Sequence, residues 1–287
     1  KIDHTYRVAA LCERIANSLA LPPQDVDLAW LCGLLHDVGR FEQLRRYGTF
    51  IDAKSIDHAL MSVTVLFEEG RLRDYIAGTD EDALLRTAIR LHNAYRLPEE
   101  MDDRTRMFCQ ILRDADKIDI LRVNVETPME QIYNVSTEAL RQSPVSPAVL
   151  DAFYEHHCVL RTLNHYPADN AVGHASFVFE LCYPESLRAV AEQGWLWKLL
   201  DFKTENPDTA KAFAAGAYRM RPYGPQGNQH TISVGADSIS ARAALPLMRA
   251  NATKGDYPSA GQLVAGFPYI PYYCNTTVSY THLRAHE

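Results

Sequence analysis

The sequence has few of the features that mark a disulfide-rich, zinc-knuckle or membrane protein. Its six cysteines include no CxxC pair and fall mostly in segments of helical periodicity, which predicts reduced, packed thiols. No apolar stretch reaches the length of a membrane-spanning helix, and no signal peptide stands at the start of the sequence. We therefore expect a cytoplasmic protein that makes no use of a membrane.

An excess of positive charge is also missing. The chain carries 29 Lys and Arg against 36 Asp and Glu, a formal net charge of −7, so neither a nucleic-acid groove nor an anionic membrane surface is expected as a partner. A phosphorylated substrate would need local arginine or lysine side chains instead. With 47% hydrophobic residues over 287 positions, the composition is that of an ordinary globular protein.

The sequence also shows neither the apolar–polar alternation that is typical of β-strands nor an internal repeat. Up to about residue 218, one segment after another has apolar positions at helical spacing, which predicts an all-α domain over residues 1–218. Residues 219–287 are rich in Gly, Pro, Ser and Asn. We interpret them as an irregular tail, frame-shifted or chimeric, whose end at 279–287 resembles a translated sequencing adapter. Because the sequence starts with Lys1 and a helical pattern follows at once, we expect a piece of a longer protein.

The first predicted helix carries a histidine on its inner side. Apolar residues follow His4 after four, seven and eleven positions, so its imidazole is predicted to point toward the core. These residues are Val8, Leu11 and Ile15, and the adjoining apolar side is predicted to contain Ile2, Tyr6, Ala9, Ala16 and Leu19.

A second histidine ends an apolar helix and stands next to an aspartate. In the stretch LCGLLHDVGRFEQL, the apolar run finishes in His36-Asp37. Burying either group without a partner is costly, and adjacent residues lie about 100° apart on a helix. At a helix end, however, both side chains can turn toward one ion, and a metal supplies the positive charge that a buried carboxylate needs. The pair therefore predicts a metal site.

Further histidines and carboxylates accompany this pair. His58 lies near the start of another predicted helix, and His92 closes the helix in DEDALLRTAIRLHN. The segment RDADKID places three carboxylates within the longest predicted helix, and periodicity alone does not choose among Asp114, Asp116 and Asp119. Imidazole and carboxylate ligands together suit Fe, Mn, Zn or Ni.

This ordered set resembles the HD-domain superfamily of metal-dependent phosphohydrolases, in a bacterial branch with the ligand pattern H…HD…H…H…D. The resemblance extends to about residue 215 and implies a helical bundle with additional C-terminal helices. It selects Asp116, in the triplet Ala-Asp-Lys, as the last ligand. Members with two further histidines before that aspartate hold two metals. His58 in SIDHA and His92 in AIRLHN match those two positions. The implied metal ligands are His4, His36, Asp37, His58, His92 and Asp116.

The resemblance also implies a chemistry. Two divalent transition-metal ions, Fe or Mn with Zn, Ni or Co as alternatives, would be bridged by Asp37 and would activate water to hydrolyse a phosphoester or phosphoanhydride. The substrate would be a small phosphorylated molecule, such as a nucleotide. Arg40, three residues after Asp37, is the first candidate for contacting its negative charge, and Lys54, one turn before His58, is the next. The predicted catalytic residues are thus Asp37, Arg40 and Lys54.

Other functions of the same superfamily stay open. Asn93 stands where some dinuclear members have a second histidine, and no GYP follows, so a cyclic-dinucleotide phosphodiesterase is disfavoured. The same six ligands also occur in dinuclear iron oxygenases, which strict iron dependence and O₂ consumption would reveal. A non-catalytic nucleotide-sensing HD module is disfavoured because every expected ligand is present.

Overall fold

The computed structural model describes residues 1–219, and the regular structure of this part of the chain is entirely helical. The prediction of an all-α protein is confirmed, since none of these residues forms a strand. The predicted tail at 219–287 lies outside the described residues apart from its first position. The α-helices are α1 (Ile2–Ser18), α2 (Pro23–Leu35), α3 (Val38–Tyr47), α4 (His58–Val63), α5 (Asp82–Leu91), α6 (Asp103–Glu126), α7 (Met129–Tyr133), α8 (Thr137–Gln142), α9 (Pro147–Tyr154), α10 (Pro167–Ala175), α11 (Pro184–Gln193), α12 (Trp195–Leu200) and α13 (Pro207–Arg219).

The described residues divide into two compact units. The first covers residues 1–119, the second begins at residue 120, and α6 runs through the division. In the first unit α1 packs along α2, α3 packs on α4, and α5 contacts both α2 and α4. In the second unit α10 contacts α8, α9 and α12, while α13 packs on α9 and α12. The predicted boundary near residue 218 lies at the edge of the described part and stays a prediction.

The inner face of α1 confirms part of the predicted pattern. Val8 and Ile15 are fully buried, and His4 lies with them at 3% exposure, as its spacing indicates. Ile2 and Tyr6, however, are 66% and 59% exposed, so their predicted place on the apolar side is wrong. The buried arc is centred on Val8 and Ile15, and at about 100° per residue the side chains of Ile2 and Tyr6 fall beyond its edge.

A glycine lets α1 and α2 approach closely at the level of the site. A Cβ atom at Gly33 would lie 2.6 Å from the Cα atom and 2.8 Å from the backbone nitrogen of Ala9. Real Cβ atoms do not come this near to backbone atoms, so only glycine fits here without a shift of one helix. This contact fixes α2, whose last turn leads into His36, against the helix that carries His4.

The His36-Asp37 pair is a two-residue connection between α2 and α3. His36 keeps helical angles, but Asp37 departs from them at φ −106° and ψ 13°, so the chain turns between the pair. The hydroxyl of Ser62 holds this turn, because it donates to the His36 carbonyl at 2.7 Å and accepts from the Gly39 N–H at 2.9 Å. The turn explains how neighbouring residues can face one point.

Gly39 is required by the close approach of α3 to α4. A Cβ atom there would overlap the backbone nitrogen of Ser62 and lie 2.6 Å from the carbonyl carbon of Met61. We expect Gly39→Ala to lower the free energy of unfolding by about 2–3 kcal/mol, as for overpacked core positions. The matched control is Gly78→Ala, an exposed glycine with open space around it, which should change stability by less than about 0.5 kcal/mol. Urea denaturation measures both, and equal stabilities for the two variants would contradict the close contact.

The segment SPAVLDAFYEHHCVLRTL does not form the single helix that its apolar spacing indicates. α9 ends at Tyr154, and His156 has a left-handed φ of 61°, which breaks the helix before a short 3₁₀ turn at Arg161–Leu163. Phe153, at the end of α9, packs edge-on against Phe179 in the core of the second unit. The helical spacing of apolar residues in this segment therefore continues past the point where α9 ends.

Two features of the composition can be compared with the structure directly. None of the helices in residues 1–219 is long and apolar enough to cross a membrane. The cysteines of this part of the chain are free thiols, and four of the five are buried.

Candidate metal centre

The six predicted ligands lie together in the first unit, although they come from separate elements. α1 provides His4, the turn between α2 and α3 provides the adjacent pair, and α6 provides Asp116 from its middle. His58 is the first residue of α4, and His92 follows the last residue of α5. All six side chains are buried, with exposures of 5% or less: His4, His36, Asp37, His58, His92 and Asp116.

One half of the cluster consists of two imidazoles and a carboxylate. The Nε2 atom of His4 lies 3.2 Å from Oδ1 of Asp116, and Nε2 of His36 lies 3.7 Å from the same oxygen. The three ligand atoms are all within 4.8 Å of one another, which is a spacing that one ion can bridge.

The other half of the cluster is a pair of histidines. The Nε2 atoms of His58 and His92 are 3.1 Å apart, and they lie 3.8 Å and 3.9 Å from Oδ1 of Asp37. His36 also joins Asp37 and His92 in a second group of ligand atoms within 4.8 Å.

Asp37 lies between the two halves and directs one oxygen to each. Its Oδ2 atom is 3.7 Å from Nε2 of His4 and 3.8 Å from Nε2 of His36, whereas Oδ1 faces the two histidines of the other half. The carboxylate is 1% exposed, so its position is set by the surrounding side chains and by the turn that follows α2. This is the arrangement expected of a bridging ligand.

Each histidine presents Nε2 to the centre because its Nδ1 atom is engaged elsewhere. The partners of Nδ1 are Asp119 Oδ2 at 2.7 Å for His4, Gly33 O at 2.7 Å for His36, Asp52 Oδ2 at 2.6 Å for His58 and Ile89 O at 2.7 Å for His92. Such contacts fix the tautomer and the ring orientation of metal-binding histidines. Sequence reasoning missed the role of Asp52 entirely, and it placed Asp119 only among three acids.

Burial and neighbouring charges keep two of the imidazoles neutral. Burial, together with the nearby imidazoles of His58 and His36, lowers the pKa of His92 to about 3. Burial also lowers the pKa of His36, against the opposing effect of Asp37. A neutral imidazole offers a nitrogen lone pair, which is what a metal ion binds.

The surroundings of the cluster favour the ionised form of its carboxylates and raise the pKa of one histidine. Burial tends to raise the pKa of Asp37, but the cations of Lys1 and Arg40 outweigh it and hold this pKa well below its ordinary value. The pKa of Asp116 is also lowered, since the nearby histidines outweigh burial. For His4, burial lowers the pKa, but its two carboxylate neighbours outweigh burial and raise the pKa above 6.5. The carboxylates of Asp116 and Asp119 thus favour a positive charge on the imidazole of His4.

The donor set fits a divalent metal ion. Within residues 1–219, the buried atoms His36 Nε2, Asp37 Oδ1 and Asp116 Oδ1 make no hydrogen bond. Buried polar atoms are usually paired, so three such atoms converging on one place call for a ligand. Mixed imidazole nitrogen and carboxylate oxygen donors match Fe, Mn, Zn, Ni or Co.

The ammonium group of Lys1 also reaches the cluster, which no sequence pattern indicated. Its Nζ atom donates to Oδ2 of Asp37 at 3.0 Å, and the side chain is 19% exposed. Burial lowers the pKa of Lys1, partly offset by Asp37. A single lysine directly before α1 carries no periodic signal, so only the folded structure shows this contact.

The two basic residues predicted to contact substrate occupy different environments. Arg40 is fully buried, and its Nε atom lies 3.8 Å from Oδ1 of Asp37, while Nη1 makes hydrogen bonds away from the cluster. Lys54 is exposed at the end of the 3₁₀ turn Asp52–Lys54. The roles of Arg40 and Lys54 toward substrate stay predictions.

Asn93, which follows His92, donates to both oxygens of Asp57 at 3.3 Å and so contacts the first turn of α4.

The comparison with protein families agrees with this geometry. Residues 2–121 match the family described as HD domain, a range that contains all six predicted ligands. No curated protein and no solved structure gives a significant match. HD domains bind divalent metal ions, and most of them are metal-dependent hydrolases. Residues 2–121 of the chain therefore form an HD domain.

Proposed function

We propose that the chain hydrolyses a phosphoester or phosphoanhydride bond of a small phosphorylated substrate, in a metal-dependent reaction. The observation that carries this proposal is the position of Asp37, whose two oxygens face two separate groups of histidines. This placement supports a centre of two ions, Fe or Mn, bridged by one carboxylate.

The bound ions would supply an acidified water and would polarise the phosphoryl oxygens of the substrate. The chain's own residues hold the donor atoms in place: each imidazole is oriented through Nδ1, and Asp37 is fixed by its turn and by Lys1 and Arg40. The low exposure of the cluster limits the access of bulk water to the reacting bond.

Positive charge near the substrate comes from local residues in this proposal. The Nε and Nη2 atoms of Arg40 are buried and make no hydrogen bond to any residue of the described part, and Nε faces Asp37. A guanidinium in this position offsets negative charge that accumulates at the centre. Lys1, partly exposed beside Asp37, and the exposed Lys54 add cations that a phosphate group can contact.

The test is an assay of the full chain on a panel of phosphorylated compounds. Protein treated with a chelator is reloaded with Mn²⁺ or with Fe²⁺ and incubated with nucleotides, dinucleotides and sugar phosphates while released product and dissolved O₂ are followed. We expect hydrolysis that depends on the added metal and proceeds equally well without O₂. Oxygen consumption that requires iron would identify the dinuclear oxygenase instead. Nucleotide binding without turnover under every condition would identify the sensing module.

A further inference from the structure

Each half of the metal centre contains one histidine whose outer nitrogen contacts a carboxylate. In the first half, Nδ1 of His4 lies 2.7 Å from Oδ2 of Asp119, and in the second half, Nδ1 of His58 lies 2.6 Å from Oδ2 of Asp52. The other histidine of each half contacts a backbone carbonyl three residues earlier in its own chain segment. The two halves therefore share a plan of one carboxylate contact and one carbonyl contact.

A buried hydrogen-bond network holds Asp52 in this position. Its Oδ1 atom accepts from Nη1 of Arg40 at 2.8 Å and from Nε2 of Gln43 at 2.9 Å, which leaves Oδ2 for His58. The backbone N–H of His58 also donates to Oδ2 at 3.3 Å. All four side chains are 5% exposed or less, so solvent does not compete for these bonds.

Gln43 defines the orientation of the network. Its amide nitrogen donates to Ser55 Oγ and to the Ile56 carbonyl, each at 2.9 Å, in addition to Asp52. Its amide oxygen accepts from Nη1 of Arg40 at 2.9 Å. The contacts with the Asp52 carboxylate, the Ile56 carbonyl and the Arg40 guanidinium require the nitrogen and oxygen of the amide in this order.

We propose that Asp52 and Asp119 are the positioning residues of the two halves, and that each sets the metal affinity of its own half. This inference rests on the metal centre of the proposed function. A carboxylate on Nδ1 keeps the proton on that nitrogen, directs Nε2 to the ion and makes the imidazole a stronger ligand. Arg40 and Gln43 act on the second half through Asp52.

The test is a titration with Mn²⁺ alone into the chelator-treated full chain, followed by calorimetry and by the EPR signal of free Mn²⁺. The variants are Asp52→Asn and Asp119→Asn, which keep the size of the side chain and remove its charge. Asp27→Asn is the matched control, because Asp27 is an exposed aspartate of α2 that lies outside the cluster. Far-UV circular dichroism checks that each variant is folded.

We expect two binding steps in the unmodified chain. Asp52→Asn should weaken one step by about 10- to 100-fold, Asp119→Asn should weaken the other by a similar factor, and Asp27→Asn should change neither. His58→Ala should abolish the step that Asp52→Asn weakens, and adding Asp52→Asn to it should have no further effect. An Asp52→Asn chain with wild-type affinities, or with both steps weakened alike, would overturn the inference. An unmodified chain that takes up no Mn²⁺ would overturn the proposed function itself.

A spectroscopic measurement on the unmodified chain serves if Asp52→Asn does not fold. In the Zn²⁺-loaded protein, ¹H–¹⁵N NMR of labelled histidines reports the Nδ1–H protons. We expect those of His4 and His58, which face carboxylates, to lie clearly downfield of those of His36 and His92, which face carbonyls. Four similar resonances would refute the distinct role of the two carboxylates.

Discussion

Asp37→Ala is expected to abolish metal binding and turnover while the helical content stays that of the unmodified chain. The two oxygens of Asp37 face the two histidine groups, so its loss removes a ligand from each half and takes away the carboxylate beside the cations of Lys1 and Arg40. Helical content should persist because α2 and α3 are held by other contacts, among them the Ser62 hydroxyl at the turn. Elemental analysis after loading, hydrolysis assays and circular dichroism measure the three properties.

The matched control for this variant is Asp27→Ala. Asp27 is an exposed aspartate of α2, so the substitution removes the same group from the same part of the chain without touching the cluster. It should keep full metal content and activity. An Asp37→Ala chain that behaves like Asp27→Ala would remove Asp37 from the centre of the mechanism.

His58→Ala and His92→Ala are expected to lower the metal content from about two ions per chain to about one, and to remove most of the activity. The two Nε2 atoms are 3.1 Å apart and face the Asp37 oxygen that points away from His4, so both variants affect the same half. The remaining half keeps its two imidazoles and two carboxylates, which suffice for one ion with water completing its shell. Elemental analysis of carefully loaded protein gives the stoichiometry.

A histidine outside the cluster serves as the control for these two variants. His157 is partly exposed and lies near Glu155 in the second unit, and His157→Ala should leave both the metal content and the activity unchanged. If the unmodified chain saturates at one ion and both cluster variants hydrolyse normally, the second half binds no metal.

Periodicity and a family resemblance predict a large part of this fold. The spacing of His4 relative to Val8 and Ile15 correctly placed its imidazole inside, because the period of a long amphipathic helix is a strong signal. The predicted apolar face of α1 wrongly included Tyr6, because the sequence of one helix does not show how much of its surface the neighbouring helices cover. The end of α9 at Tyr154 has no signal in the sequence either, because nothing in a histidine pair marks a left-handed residue in advance.

The residues that support the ligands were much harder to predict. Asp52 and Gln43 lie in a short 3₁₀ turn and on α3, and their partners are set by tertiary contacts rather than by a repeating pattern. The local signals were an aspartate six residues before His58 and a glutamine in α3, and both residue types are common on ordinary surfaces. The need for glycine at Gly39 likewise appears only when α4 is packed against it.

The most direct test of a metal centre bridged by Asp37 is anomalous X-ray diffraction from crystals of the Mn²⁺-loaded chain. The proposed function predicts two anomalous peaks within bonding distance of Asp37, one beside His4, His36 and Asp116 and the other beside His58 and His92. A fully loaded crystal with no peak among these side chains would contradict the central claim.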